Sequence, residues 1–224
     1  MTTQTEHTGD LTLIIGNKNY SSWSLRPWIW MQTAGLAFAE HRIALSTPDT
    51  HARLAPYFSN AKVPILLHGN RRIWDSLAIL EYLAEHFPTT PGWPSDPAAR
   101  SVARSVSAEM HSSFAALRAA LPMNCRRRPK AIAIHQAVRI DIDRICQIWR
   151  HCRTHFGNNG PWLFGRFSIA DAMYAPIVWR FVGYDIAVDA TAANYIRHYL
   201  QHPPMQAWKA AGETETAVIE DEEI

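Results

Sequence analysis

The sequence predicts an α/β unit followed by an all-helical one, and three observations carry that expectation. Short β-type apolar runs are confined to the first third of the chain, where they alternate with helical spacing in the order β-α-β-α-β-β-α. The stretch from Phe87 to Pro97, FPTTPGWPSDP, holds four prolines and one glycine, the composition of an interdomain linker. Beyond it the periodicity is helical almost throughout. The expected division is therefore 1–88 for the α/β unit, 89–97 for the linker and 98–224 for the helical part.

Each element has its own signal. Leu11 to Ile15 is a short apolar β-type run, and the polar stretch from Gly16 to Ser22 reads as a loop. A helix should follow, capped by Ser22 or Ser24, with Pro27 tolerated in a first turn whose N–H groups have no intrahelical partner. Trp28, Ile29, Met31 and Leu36 give that helix an apolar side, and Gly35 helps to stop it. Arg42 to Leu45 suggests a second strand, and Leu54 to Phe58 is poorly patterned. Val63 to Leu67 and Arg72 to Trp74 flank His68-Gly69-Asn70 and predict a hairpin, with Pro64 lacking a ladder donor. From Asp75-Ser76 to about His86, Leu77, Leu80, Leu83 and Ala84 recur at helical spacing. After the linker, helices are expected over Ala98 to Leu121, Lys130 to Phe156, Ile169 to Val182, Ala190 to Leu200 and Pro204 to Ala211, with no strand required.

Composition narrows the functional classes. At 47% hydrophobic and 19% charged, the 224 residues exclude a disordered chain and suffice for a core. No apolar run approaches the length of about 18 residues that a membrane span needs, and Met1 to Asp10 is polar without an apolar signal core. A cytoplasmic protein with no membrane partner is expected. The net charge of +2 hides an asymmetry, because Glu213, Glu215, Glu220, Asp221, Glu222 and Glu223 crowd the last twelve residues and leave 14 acids against 22 bases elsewhere. The simplest reading is a solvated basic body with a frayed acidic tail. Three cysteines, Cys125, Cys146 and Cys152, are too few for a disulfide framework and read as free thiols of a reducing compartment.

Four motifs occur in order. They are Tyr20-Ser21-Ser22-Trp23-Ser24-Leu25-Arg26 after the first strand, Lys62-Val63-Pro64 before the third, Trp74-Asp75-Ser76 opening a helix, and Phe164-Gly165-Arg166-Phe167-Ser168-Ile169-Ala170-Asp171 in the helical half. With these motifs the chain resembles a cytosolic glutathione transferase, and the first motif is closest to the serine-type, zeta-like bacterial members. The resemblance implies a thioredoxin-like N-terminal domain, an all-α C-terminal domain, glutathione as cosubstrate, a small electrophilic and partly hydrophobic substrate, a homodimer, and a role in detoxification.

What it implies for the site makes chemical sense. A free thiol titrates near pH ~8.5, so a hydroxyl donor at a helix N-terminus would favour its thiolate. The resemblance maps Ser21 onto that role with Arg26 as the spacing marker; Ser22 is one residue away and remains an alternative, and Tyr20 would supply a phenol instead. Val63-Pro64 resembles the cis-proline of thioredoxin-like folds, whose preceding residue would pair with the cysteinyl backbone of glutathione like an added strand. A glycine usually stands two residues before the valine, where this chain has Ala61. Asp75 and Ser76 at a helix start would hold the γ-glutamyl carboxylate, and Lys62 the glycyl carboxylate. Ser168 and Asp171 form a capping box that reads as structural.

Other clusters are weighed against plainer explanations. Arg126-Arg127-Arg128 repel one another unless something acidic is near; they read either as a solvated turn or as a carboxylate receptor in the second-substrate pocket. No nucleic-acid module accompanies them. His151, Cys152 and His155 have ligand spacing without a further ligand cluster, so no metal is expected. Trp23, Trp28, Trp30, Met110, Phe114 and Trp179 would wall an apolar pocket or pack a core, and His111 stands beside them. Two alternatives accompany the transferase reading: a glutathione-dependent isomerase of the maleylacetoacetate type, whose zeta pattern expects a cysteine where Trp23 stands, and a non-catalytic binding module on the same fold.

Overall fold

A computed structural model describes residues 11–224. The expectation about Met1 to Asp10 lies outside the described residues. The α/β unit comprises β1 (Leu11–Ile15), α1 (Ser22–Thr33), β2 (Ala39–Arg42), α2 (Thr50–Leu54) with a 3₁₀ turn over Ala55–Tyr57, β3 (Ile65–His68), β4 (Arg71–Trp74) and α3 (Ser76–His86). The sheet order is β2-β1-β3-β4, with β1 and β2 parallel and the other two pairs antiparallel.

Alternation along β1 explains how this sheet is covered on both faces. Leu11, Leu13 and Ile15 enter the main core with α1 and α3, whereas Ile14 faces the other way into a small cluster with Ile43, Leu54 and Ile65. The second strand lies earlier than Arg42 to Leu45. Its pairing with β1 runs from Thr12 opposite Ala39 to Ile15 opposite Arg42, and one further bond joins the Ile43 amide to the Ile15 carbonyl at 2.9 Å. Ile43 and Leu45 carry the apolar signal, but β1 ends at Ile15, so pairing stops after that one bond.

The helical part comprises α4 (Pro97–Ser112), α5 (Ala115–Ala120), α6 (Gln136–Phe156), α7 (Ile169–Gly183), α8 (Ala190–Gln201) and α9 (Pro203–Glu213). Two expectations are corrected. The helix predicted from Ala98 to Leu121 is broken at Phe114, which takes φ +63°, and Arg118 turns back to donate to the Met110, His111 and Ser113 carbonyls at the end of α4. The helix predicted from Lys130 begins instead at Gln136. The preceding segment is committed elsewhere: Cys125 and Arg126 amides bond to Asn19, and the Lys130 amide to the Gly183 carbonyl.

The two parts share one core. α7 is buried along nearly its whole length and packs on α1, so the apolar faces of the two units close on each other. Trp28, Trp30, Met110, Phe114 and Trp179 all belong to this core. At the start of α7 the capping box is present. Asp171 is fully buried and accepts from the Leu163 and Ser168 amides, the Ser168 hydroxyl and the Tyr195 hydroxyl, at 3.0, 2.9, 2.8 and 2.9 Å. The acidic segment beyond α9 is not frayed. Glu215 accepts from the Lys18 and Asn19 amides at 2.9 and 3.1 Å and pairs with Arg42, and a 3₁₀ turn follows over Glu220–Glu222.

Candidate active site

Where β1 ends, the chain runs through a loop into α1, and this loop forms one wall of a cavity of about 640 Å³. Tyr20, Ser21, Ser22 and Trp23 line it from this side, Lys62, Val63 and Pro64 from the turn before β3, and Asp75 and Ser76 from the start of α3. The residues singled out from the sequence for holding glutathione and its thiol thus border one space. The Val63–Pro64 peptide is cis, and Ala61 holds φ +53° in the left-handed region that favours glycine.

Ser21 occupies the cap position of α1 yet makes no capping bond with its side chain. Its buried hydroxyl lies 2.8 Å from that of Ser24, which in turn accepts the Gly16 amide at 3.1 Å. Hydroxyl hydrogens rotate, so Ser24 is placed to donate to Ser21 when Ser21 donates into the cavity. Ser22 is partly buried, also borders the cavity, and is the first residue of α1. Tyr20 is engaged differently: its hydroxyl donates to Glu223 and accepts from Arg126 at 2.5 Å, and its pKa is raised chiefly by burial.

At α3, one Asp75 oxygen accepts the Leu77 amide at 2.9 Å, and the other meets Nε2 of His111 at 2.6 Å. Asp75 therefore caps the helix and ties it to α4. The Ser76 amide belongs to the first turn, whose N–H groups lack intrahelical partners and attract anions. Beneath lies Arg26, 2% exposed, with its guanidinium 4.0 Å from the Trp23 ring and 3.5 Å from the Ser76 hydroxyl. Burial, then the neighbouring Arg118 and Arg180, lower its pKa to about 9.

Residues not singled out as site candidates in the sequence also border the cavity: Arg118 from α5, Arg180 from α7 and Glu222 from the acidic segment. Arg180 had one legible signal, a charge within the otherwise apolar second half of α7, since a buried arginine needs a reason. Of the aromatic residues weighed as a pocket wall, Trp23 alone borders this cavity.

The arginine triplet is placed elsewhere, around a second cavity of about 620 Å³. Arg126 donates to the Glu215 and Ala217 carbonyls at 2.6 and 2.9 Å and pairs with Glu223 at 3.2 Å, while Arg127 donates to the Gly183 and Ile224 carbonyls. The acidic segment pairs with Arg126 and its backbone accepts from Arg127, while Arg128 is exposed, as in a solvated turn. Arg126→Ala should release that segment, seen as faster amide hydrogen exchange over 214–224 with a loss of about 1–2 kcal/mol in unfolding free energy. The three cysteines are buried and free, and burial pushes their pKa values to about 12, 11 and 12 for Cys125, Cys146 and Cys152. The rings of His151 and His155 lie tilted by 31° with centres 4.3 Å apart, and among the described residues no group of three or more His, Cys, Asp or Glu side chains could hold a metal ion.

A βαβ-ββα sheet fused to a helical unit, with a helix-start hydroxyl, a cis-proline turn and a second helix start facing one cleft, defines a thioredoxin-like domain carrying a helical partner domain. Comparison with known proteins agrees. Residues 20–86 match the family of the glutathione S-transferase N-terminal domain, and residues 102–210 match that of the C-terminal domain. The chain belongs to the glutathione S-transferase family. It is 29% identical over 160 residues to glutathione S-transferase L2, chloroplastic, of Arabidopsis thaliana, covering 70% of this chain and 49% of that protein. To a probable maleylacetoacetate isomerase of Caenorhabditis elegans it is 33% identical over 87 residues, 39% of this chain and 41% of that one. The chain thus spans about half the length of these curated relatives. Among solved structures, a glutathione transferase homolog from Burkholderia GL BGR1 with bound glutathione superposes with a TM-score of 0.70 at 21% identity, covering 92% of this chain and 99% of that one. Ure2p in complex with glutathione gives 0.64 at 18% identity, covering 90% and 93%.

Proposed function

We propose that this chain is a glutathione transferase in which Ser21 stabilises the thiolate of glutathione for attack on an electrophile held against the helical domain. The observation that carries this reading is the convergence of the Ser21 hydroxyl, the Val63–Pro64 turn and the Ser76 helix start on one cavity. A tripeptide with a thiol, two carboxylates and an amide backbone fits that donor set. The Val63 backbone would pair with its cysteinyl unit, Ser76 with the first amides of α3 would take the γ-glutamyl carboxylate, and Lys62 the glycyl one. Asp75, with both oxygens engaged internally, aims that helix start.

Chemistry then follows from two effects. The Ser21 hydroxyl and the N-terminus of α1 favour the charged form of the thiol, and the adjoining pockets convert a bimolecular collision into a local one. On this reading residues 1–88 hold glutathione, 98–224 complete the electrophile pocket, and 89–97 join them, in a cytoplasmic enzyme of detoxifying type. Among the described residues no helix is long and apolar enough to cross a membrane. A glutathione-dependent isomerase is the second reading, favoured by the likeness of part of the chain to the nematode protein.

Calorimetric titration with glutathione tests the proposal: saturable binding, and turnover of a generic electrophile, are expected. Absence of binding at millimolar glutathione would leave a non-catalytic module as the better reading. A homodimer is part of this reading, and an exposed aromatic pair supports it. Phe58, 77% exposed, and Trp74, 43% exposed, meet edge-on with ring centres 5.4 Å apart at the rim of the sheet. A second copy covering this pair is expected, and Phe58→Ser should shift sedimentation toward monomer, weakening association about tenfold or more.

A further inference from the structure

The helical wall of the cavity carries more positive charge than the chain itself neutralises. Arg180 is 6% exposed and spends its Nε on the Leu121 carbonyl at 2.8 Å and Nη1 on the Pro176 carbonyl at 3.4 Å. Arg118 places Nη2 on the carbonyls closing α4, and its buried Nε has no partner. These acceptors are carbonyl dipoles with no net charge. Among the described residues no carboxylate lies within 4.0 Å of Arg26, Arg118 or Arg180. Burial lowers the proton affinity of all three guanidiniums; Arg118 lowers that of Arg26 and Arg180 further, Arg180 acts likewise on Arg26, and Asp141 opposes the shift at Arg118. Unpaired buried charge is costly and is retained where something anionic answers it.

Two acids among the described residues border the cavity with Arg118 and Arg180. Asp75 is engaged by the Leu77 amide and His111, whereas Glu222 is half-buried and in electrostatic contact with Arg180 without forming an ion pair. The acidic segment is held there by Glu215 and by Arg126, so the carboxylate is presented by a folded strap.

Building on the transferase reading, we propose that Arg118 and Arg180 form a carboxylate subsite for the electrophile, and that Glu222 occupies the field of that subsite as an internal competitor. The two carboxylates of glutathione are already answered on the opposite wall, by Lys62 and by Ser76 at the α3 helix start. The arginines come from the helical half, where the second substrate is held. A planar guanidinium accepts a carboxylate through two parallel N–H bonds, which neutral electrophiles cannot use. The substrate class is therefore a carboxylate-bearing electrophile with an apolar body seated near Trp23.

Ethacrynic acid and its uncharged primary amide test this, since both are Michael acceptors with the same apolar body. In turnover the thiolate forms a sulfur–carbon bond at the terminal alkene carbon, the alkene π pair moves to the adjacent carbonyl as an enolate, and solvent returns the proton. The ratio of acid to amide is measured as kcat/KM with saturating glutathione and as affinity by calorimetry without glutathione. Wild type should prefer the acid by roughly tenfold in both. Arg180→Gln should abolish the preference, Arg180→Lys should restore part of it, and Glu222→Gln, which leaves the backbone contacts of Arg180 in place, should enlarge it severalfold. Equal handling of acid and amide by the wild type, or a ratio that Glu222→Gln leaves unchanged, overturns the subsite. Loss of glutathione binding together with no turnover of either compound would instead overturn the transferase reading, and the affinity ratio without glutathione would still decide the subsite.

Discussion

Asp171→Ala is expected to cost about 3–5 kcal/mol of unfolding free energy, a large share of the roughly 5–15 kcal/mol that a domain possesses. The reason is the number of groups it would strand. Two backbone amides and two hydroxyls converge on this one buried carboxylate, and none has water to turn to. A cap alone would be worth about 1 kcal/mol. The urea midpoint of the purified variant checks the figure, and a loss under about 1 kcal/mol would show that the network relaxes around the gap.

A pH dependence accompanies it. Burial raises the Asp171 pKa from 3.8 to about 6, against the pull of its hydrogen bonds. The folded state therefore binds more protons than the unfolded one between those values, and this contribution is full below the unfolded pKa and lost as pH rises through about 6. Wild type should gain on Asp171→Asn as pH falls from 7 to 4, by up to about 3 kcal/mol. A flat difference across that range would refute the assignment.

Ser21→Ala is expected to raise the pKa of bound glutathione by about one to two units, because a hydrogen bond to a charged group contributes about 1.5–3 kcal/mol. Below that pKa kcat/KM should fall by about ten- to a hundredfold, while glutathione affinity changes less. Thiolate absorbance against pH reads the shift directly. Ser22→Ala should move it little, since the Ser24 hydroxyl and Gly16 amide support Ser21. Were Ser22→Ala to restore the free-thiol value and Ser21→Ala not, the role would pass to Ser22.

Much of this protein was legible in residue order because the signals are local. Apolar alternation at Leu11 to Ile15, the start at Asp75-Ser76 and the box at Ser168 and Asp171 each act within a few residues, and the elements appear where those patterns place them. Ser21, Ser22, Val63, Pro64 and Ser76, which short motifs mark, all border the same cavity. Errors fell where distant partners decide. Arg42 to Leu45 looks as good a strand as Ala39 to Arg42 until the end of β1 limits the pairing. Ala98 to Leu121 is periodic throughout, and its break at Phe114 is sealed by Arg118 reaching back across the gap.

The acidic segment states the division most clearly. Its charge, the charge of Arg126 to Arg128 and the two-part architecture that holds them are legible in residue order, since composition and periodicity need no partner. That Arg126 meets Glu223 follows from the fold alone, because 97 residues separate the two and no local rule spans that distance. The same folding brings Arg118, Arg180 and Glu222 to the cavity that Ser21 borders. Coulomb attraction between segments far apart in the chain depends on their separation in space, which the packing of α7 on α1 fixes.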